Sequence, residues 1–115
     1  MKLSDHKTGE VITKQVRVAN NFIARMRGLI GTNELGPNTC FWIPKCQGVH
    51  TFGMRYAIDV IFLDREGRIL HVEKDLEPNC RGPVIWEASS VIELESRFAV
   101  YHRFWPGRRL CFLEE

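Results

Sequence analysis

The alternation of apolar and polar positions begins early in this chain. Over residues 11–18, Val-Ile-Thr-Lys-Gln-Val-Arg-Val, apolar Val16 and Val18 are interleaved with Gln15 and Arg17, which predicts a half-exposed strand. The period then changes. Behind Asn20 or Asn21, either a suitable N-cap, Phe22, Ile23, Met26, Leu29 and Ile30 recur at helical spacing. This predicts a short helix over about 21–29, weakened by Gly28 and stopped by Gly31. Residues 31–39 are rich in Gly, Asn and Pro and predict a loop, and Phe41-Trp42-Ile43 predicts a short strand halted by Pro44. Residues 45–56 mix residue types and read as an irregular loop.

Residues 57–63, Ala-Ile-Asp-Val-Ile-Phe-Leu, are different. Both alternating sets are largely apolar, so the strand is expected to be central and covered on both faces. Asp64-Arg-Glu-Gly67 predicts a hairpin turn and residues 68–73 its return strand. A loop follows at 77–83 and a strand at 90–94. From Ser96, the spacing of Phe98, Tyr101 and Trp105 predicts a short amphipathic helix or 3₁₀ segment, broken by Pro106-Gly107. A closing strand is expected at 109–113. Many short strands with one or two short helices predict a mainly β fold, α+β at the margin: a small barrel or sandwich forming a single domain over 1–115, with 1–9 a flexible start.

Composition narrows the function. The 115 residues suffice for one core, and 44% hydrophobic with 26% charged residues is ordinary for a globular chain. A net charge of +2 gives a weak global field and argues against a dedicated nucleic-acid binder. The polar start has no apolar signal-type region, and no stretch approaches the ~20 apolar residues needed to span a bilayer. The expectation is therefore a cytoplasmic protein with no membrane partner, in which Cys40, Cys46, Cys80 and Cys111 remain free thiols. No oligomeric state follows from these residues.

The chemistry concentrates in residues 46–64, where a polar run feeds into the apolar strand. Asp59 stands there in place of a hydrophobe, at a cost to stability unless it is paired. Such a carboxylate either orients an imidazole, binds a guanidinium or works as an acid or base, or else caps a loop or pairs with Arg27 or Arg55. Cys46 and His50, four residues apart, could form a nucleophile–base pair, or be a small buried thiol and a hydrogen-bonded imidazole. Cys-x₃-His matches no local cysteine-hydrolase signature, which favours the second reading. Cys40, Cys46, His50, His71 and Cys80 are soft ligand types, but they lack the paired spacing of zinc sites, so no metal is expected. The arginines and the aromatics Phe98, Tyr101, Phe104 and Trp105 of the last third read as a solvated face over an aromatic core rather than a nucleic-acid surface. Phosphate loops, dinucleotide fingerprints, Gly-x-Ser-x-Gly and His-Glu-x-x-His motifs are absent, so no cofactor is expected.

Three blocks carry a family likeness: Arg25-Met-Arg27-Gly28-Leu29-Ile-Gly, then His50-Thr-Phe-Gly-Met54-Arg-Tyr-Ala-Ile-Asp59-Val-Ile-Phe-Leu-Asp64, then Val91-Ile-Glu93-Leu94. With them the chain resembles domain-of-unknown-function family 192, also called uncharacterised protein family 0127. The resemblance implies a compact β-barrel or sandwich with short helices, and no established activity. The chain departs from the family pattern at Ala57, where Pro is frequent, at Arg97-Phe98, where a Gly-containing turn is usual, and at Gly107-Arg108, where Gly-Asp is usual.

The leading expectation is a small binding or accessory domain with a polar pocket for a small anionic ligand or a peptide segment. Arg27, His50, Thr51 and Met54 would line it, and Asp59 would orient one of the cations. The alternative is a hydrolase or transferase with His50 as general base and Asp59 as its orienter. A third possibility is a structural partner domain docking through exposed aromatics at 98–105. The residues do not decide whether the protein is an enzyme.

Overall fold

The computed structural model describes residues 1–19, 35–98 and 103–114. The expected helix over 21–29, Arg27 and Tyr101 lie outside the described residues. Ten strands are described: β1 (Lys2–Asp5), β2 (Val11–Thr13), β3 (Gln15–Val18), β4 (Thr39–Pro44), β5 (Gly48–His50), β6 (Ile58–Leu63), β7 (Ile69–Leu76), β8 (Arg81–Val84), β9 (Ser90–Glu95) and β10 (Leu110–Leu113). They form a five-stranded sheet in the order β3-β4-β9-β6-β7, a three-stranded sheet β10-β1-β2 and a two-stranded ribbon β5-β8. None of these sheets closes on itself among the described residues, so of the two expected architectures the sandwich fits.

The double apolar pattern of β6 decides the layering. Ile58, Val60 and Phe62 face one core, shared with Phe41, Ile43 and Val91 and with Met54, Val49 and Ile85 on the ribbon side. Ile61 and Leu63 face a second core, shared with Ile92 and Leu94 and with Leu3, Ile12 and Leu110 of the three-stranded sheet. The five-stranded sheet is thus the middle layer, and β6 is wholly buried, as its sequence predicts.

The β6–β7 hairpin follows from local chemistry. Asp64 Oδ1 accepts hydrogen bonds from the backbone N–H groups of Glu66 (2.9 Å) and Arg68 (2.9 Å). Gly67 has φ +85°, and a Cβ there would lie 2.3 Å from the Leu110 carbonyl oxygen, so no other residue fits without backbone movement.

Three differences from the sequence reading have physical causes. Lys2–Asp5, expected within a flexible start, forms β1 between β10 and β2, because Leu3 is fully buried and Asp5 is held by Arg108. The strand over 11–18 is two strands in different sheets, parting at Lys14. The loops expected at 45–56 and 77–83 supply β5 and β8, which pair antiparallel with Gly48 opposite Val84 and His50 opposite Arg81. Of the helix or 3₁₀ segment expected from Ser96, the described part is a turn at Ser96–Phe98, where the Phe98 N–H donates to the Glu95 carbonyl (3.0 Å), and residues 99–102 lie outside the described residues. No α-helix lies among the described residues.

Candidate functional site

The ribbon presents the most exposed chemistry of the 46–64 block. Val49 turns inward and packs against the core, while His50, next along β5, is exposed. Its Nδ1 accepts a hydrogen bond from the Phe52 N–H (3.2 Å), which places the proton of the neutral ring on Nε2 and leaves that nitrogen facing outward. The imidazole stacks on the Phe52 ring with centroids 4.9 Å apart. The guanidinium carbon of Arg81, the cross-strand partner of His50, lies 5.6 Å from the same ring. Phe52 is 42% exposed between them. An aromatic ring flanked by an imidazole and a guanidinium can hold an anionic group beside an apolar or planar one.

Thr51 holds this corner in place. It is fully buried; its N–H donates to the Cys80 carbonyl (2.8 Å), and its Oγ1 accepts from the Cys80 N–H (2.8 Å) while donating to the Glu77 carbonyl. Its own carbonyl accepts from Met54 N–H (3.0 Å) and Asn79 N–H (2.9 Å). Thr51 therefore ties the loop after β5 to the segment before β8. Met54 is buried in the core on the ribbon side. Asp59 is also buried, and its Oδ1 accepts from the Asp75 N–H (3.0 Å) and the Ser96 hydroxyl (2.7 Å). Asp75 has φ +51°, so the carboxylate secures an irregular backbone turn in β7. Of the sequence candidates, His50 and Thr51 stand together at the ribbon, Met54 is buried in the core on that side, Asp59 works at the start of β6 on the turn at Asp75, and Arg27 is outside the described residues. His50 and Asp59 share no hydrogen bond, so the general base of the hydrolase or transferase reading has no carboxylate orienter there.

The thiols are free. Cys46 is half-buried and its Sγ–H donates to the Gly48 carbonyl (3.1 Å). Burial, helped by the Glu93 charge, pushes the thiol up from its ordinary value, away from nucleophilic thiolate. Cys40 is deeper still and is pushed up to about 11. Among the described residues no group of three or more His, Cys, Asp or Glu side chains is placed to hold a metal.

Sequence reading missed two residues. Arg81 was only one of many arginines; nothing local to it announces that it faces His50. Glu93 sits on β9 between Phe41 and Val60 and is 3% exposed. Its Oε1 is buried without a hydrogen-bond partner among the described residues, and burial pushes the carboxyl up to about 8. The signal was available: Glu93 breaks an apolar strand just as Asp59 does.

The fold has solved counterparts. A protein of unknown function from Novosphingobium aromaticivorans superposes with a TM-score of 0.81 at 15% identity, over 97% of this chain and 84% of that one. A putative transcription regulator from Sinorhizobium meliloti superposes with a TM-score of 0.77 at 19% identity, over 96% of this chain and 89% of that one. At such identities the likeness shows the fold alone. A UPF0127 protein from Thermococcus sibiricus is 33% identical over 70 residues, which are 57% of this chain and 46% of the relative. The chain spans about half the length of this curated relative. The family DUF192, Uncharacterized ACR, matches residues 3–112. By that match over nearly its whole length, the chain belongs to domain-of-unknown-function family 192.

Proposed function

We propose that this protein is a binding module that takes a small anionic ligand on the ribbon face formed by His50, Phe52 and Arg81. The observation that carries this is the exposed Phe52 ring, flanked by the His50 imidazole at 4.9 Å and the Arg81 guanidinium at 5.6 Å. The ligand's anionic group meets Arg81 and the outward His50 nitrogen, and its apolar or planar part lies against Phe52. Thr51 and Met54 contribute by fixing the loop that carries Phe52. Asp59 holds the β7 turn at Asp75 and does not touch the ligand. An acidic side chain on a peptide segment offers the same chemistry. Four free thiols suit a reducing compartment, and we place the protein in the cytoplasm.

Calorimetric titration tests the reading, using a panel of small mono- and dicarboxylates, phosphate esters and one acidic peptide. The expected result is binding by one class, weakened at least tenfold, or about 1.4 kcal/mol, in both Arg81→Ala and Phe52→Ala. No heat from any member of the panel, or equal affinity in both variants, removes the proposal.

A further inference from the structure

Strand β9 carries two buried acids on one face of the middle sheet, Glu93 and Glu95, two residues apart. Their surroundings differ completely. Glu95 Oε2 accepts from the Leu35 N–H (3.1 Å) and the Gly36 N–H (3.1 Å), and its Oε1 accepts from Arg97 Nε (2.5 Å). Glu95 anchors backbone. Glu93 Oε1 has no partner among the described residues, although its neighbours in register are Phe41 and Val60. Cys46 packs against the core that holds Phe41 and Val60, and its hydrogen is given to the Gly48 carbonyl.

An unanswered buried carboxyl destabilises a fold, and a neutral side chain of similar size would remove most of that cost. The position is also not one where an acid builds structure, as Glu95 does. Such a conflict between local chemistry and packing is characteristic of functional positions. We propose that Glu93 is the receptor for a cationic head group, an ammonium or guanidinium, carried by a ligand that enters beside Cys46. A guanidinium satisfies both carboxylate oxygens with parallel N–H donors, and the low dielectric strengthens the pair. Cys46 is half-buried, so solvent reaches the edge of the core that holds Phe41 and Val60, the strand neighbours of Glu93. This subsite is independent of the anionic face at His50 and Arg81.

The experiment uses the full chain and two probes, agmatine and the tripeptide Gly-Arg-Gly, which separate a free small molecule from a peptide-borne arginine. Binding is followed by calorimetry, and the Glu93 side-chain carboxyl is followed by ¹³C NMR across pH 3–10. The expected result is that at least one probe binds the wild type and lowers the Glu93 titration midpoint. Affinity then falls at least tenfold in Glu93→Gln and is retained in Arg81→Ala. Agmatine binding assigns a small-molecule ligand; binding of the tripeptide alone assigns a peptide. The proposal is overturned if neither probe binds, if Glu93→Gln binds like wild type, or if the Glu93 midpoint is unmoved by saturating probe. Thermal melts of both variants establish that they are folded.

Discussion

The two sides of the middle sheet differ in how far their buried charges are answered. On the side of the three-stranded sheet, Asp5 receives the N–H groups of Lys7 (2.7 Å) and Thr8 (2.8 Å) on one oxygen and Arg108 Nε (2.8 Å) on the other. Arg108 continues to Glu10 (2.8 Å) and to the Arg103 carbonyl (2.6 Å), and its guanidinium carbon lies 4.4 Å from the Trp105 ring centroid. Arg103 returns to Glu10 (2.9 Å) and to the carbonyls of Val11 (2.8 Å) and Ile12 (3.1 Å). The unpartnered buried atoms facing that side are neutral, the Ser4 hydroxyl and the Trp42 indole N–H. On the ribbon side the unpartnered buried atom among the described residues is a carboxyl oxygen, Glu93 Oε1, and the ribbon and the loops that follow its strands expose Phe52, Val84 and Trp86. Charge used for stability is answered within the chain, whereas Glu93 is buried at a cost that no described residue offsets.

The contrast can be broken at Arg108. Arg108→Ala leaves Asp5 without its cation and opens the network, so the thermal midpoint should fall by about 10 °C, the largest change among these variants. The Asp5 carboxyl is held down at about 2, first by the Thr8 N–H and then by Arg108, against an ordinary 3.8. Its contribution is therefore complete above about pH 4 and is lost as pH falls through 2, and an acid titration of the melt should show this loss shrinking in Arg108→Ala. A midpoint within 2 °C of wild type would mean that the network is ornamental.

Glu93→Gln should move stability the other way. The folded carboxyl titrates near 8 against an ordinary 4.5, so folding is unpenalised below pH 4.5, where both states hold the proton. The penalty grows between 4.5 and 8 and is constant above. The variant should melt about 5 °C higher at pH 8 and match wild type at pH 4. An equal difference at both pH values would show that the acid is not the cause. Smaller effects are expected at Asp59. Asp59→Ala removes the acceptor for Asp75 and Ser96 and should cost about 2 kcal/mol by urea titration, whereas Asp59→Asn keeps an acceptor oxygen and should cost less than half of that. The reverse order would place the role of Asp59 in its charge. Smallest of all, Cys46 should react with iodoacetamide at pH 7.5 several times more slowly than a free cysteine, by mass spectrometry, because its thiol is buried and its hydrogen is committed to Gly48.

What could be read in advance follows from the range of each signal. β6 is legible because both of its alternating sets are apolar, and the hairpin after it because Asp64 and Gly67 act within four residues. The ribbon was hidden because Gly48, Gly82 and Pro83 suppress any strand signature, and its pairing joins segments more than thirty residues apart. β1 was hidden for the same reason on a larger scale: Asp5 looks like a solvated acid until Arg108, 103 positions later, is placed against it. The site was half legible. Asp59 and His50 drew attention by residue type, but only geometry separates them and brings Arg81 to Phe52.

The pairing of β1 with β10, Lys2 opposite Leu113 and Asp5 opposite Leu110, also bears on how the chain assembles. As the chain is made from its N-terminal side, β1 can join β2 almost at once, since Leu3 opposes Thr13. Its other edge must wait for β10, and so must the latch between the β6–β7 tip and Leu110, through the Leu110 N–H to the Gly67 carbonyl (2.8 Å). During synthesis β1 therefore offers a bare four-residue strand edge, and that edge is where a crowded, unfinished chain would first adhere to its neighbours.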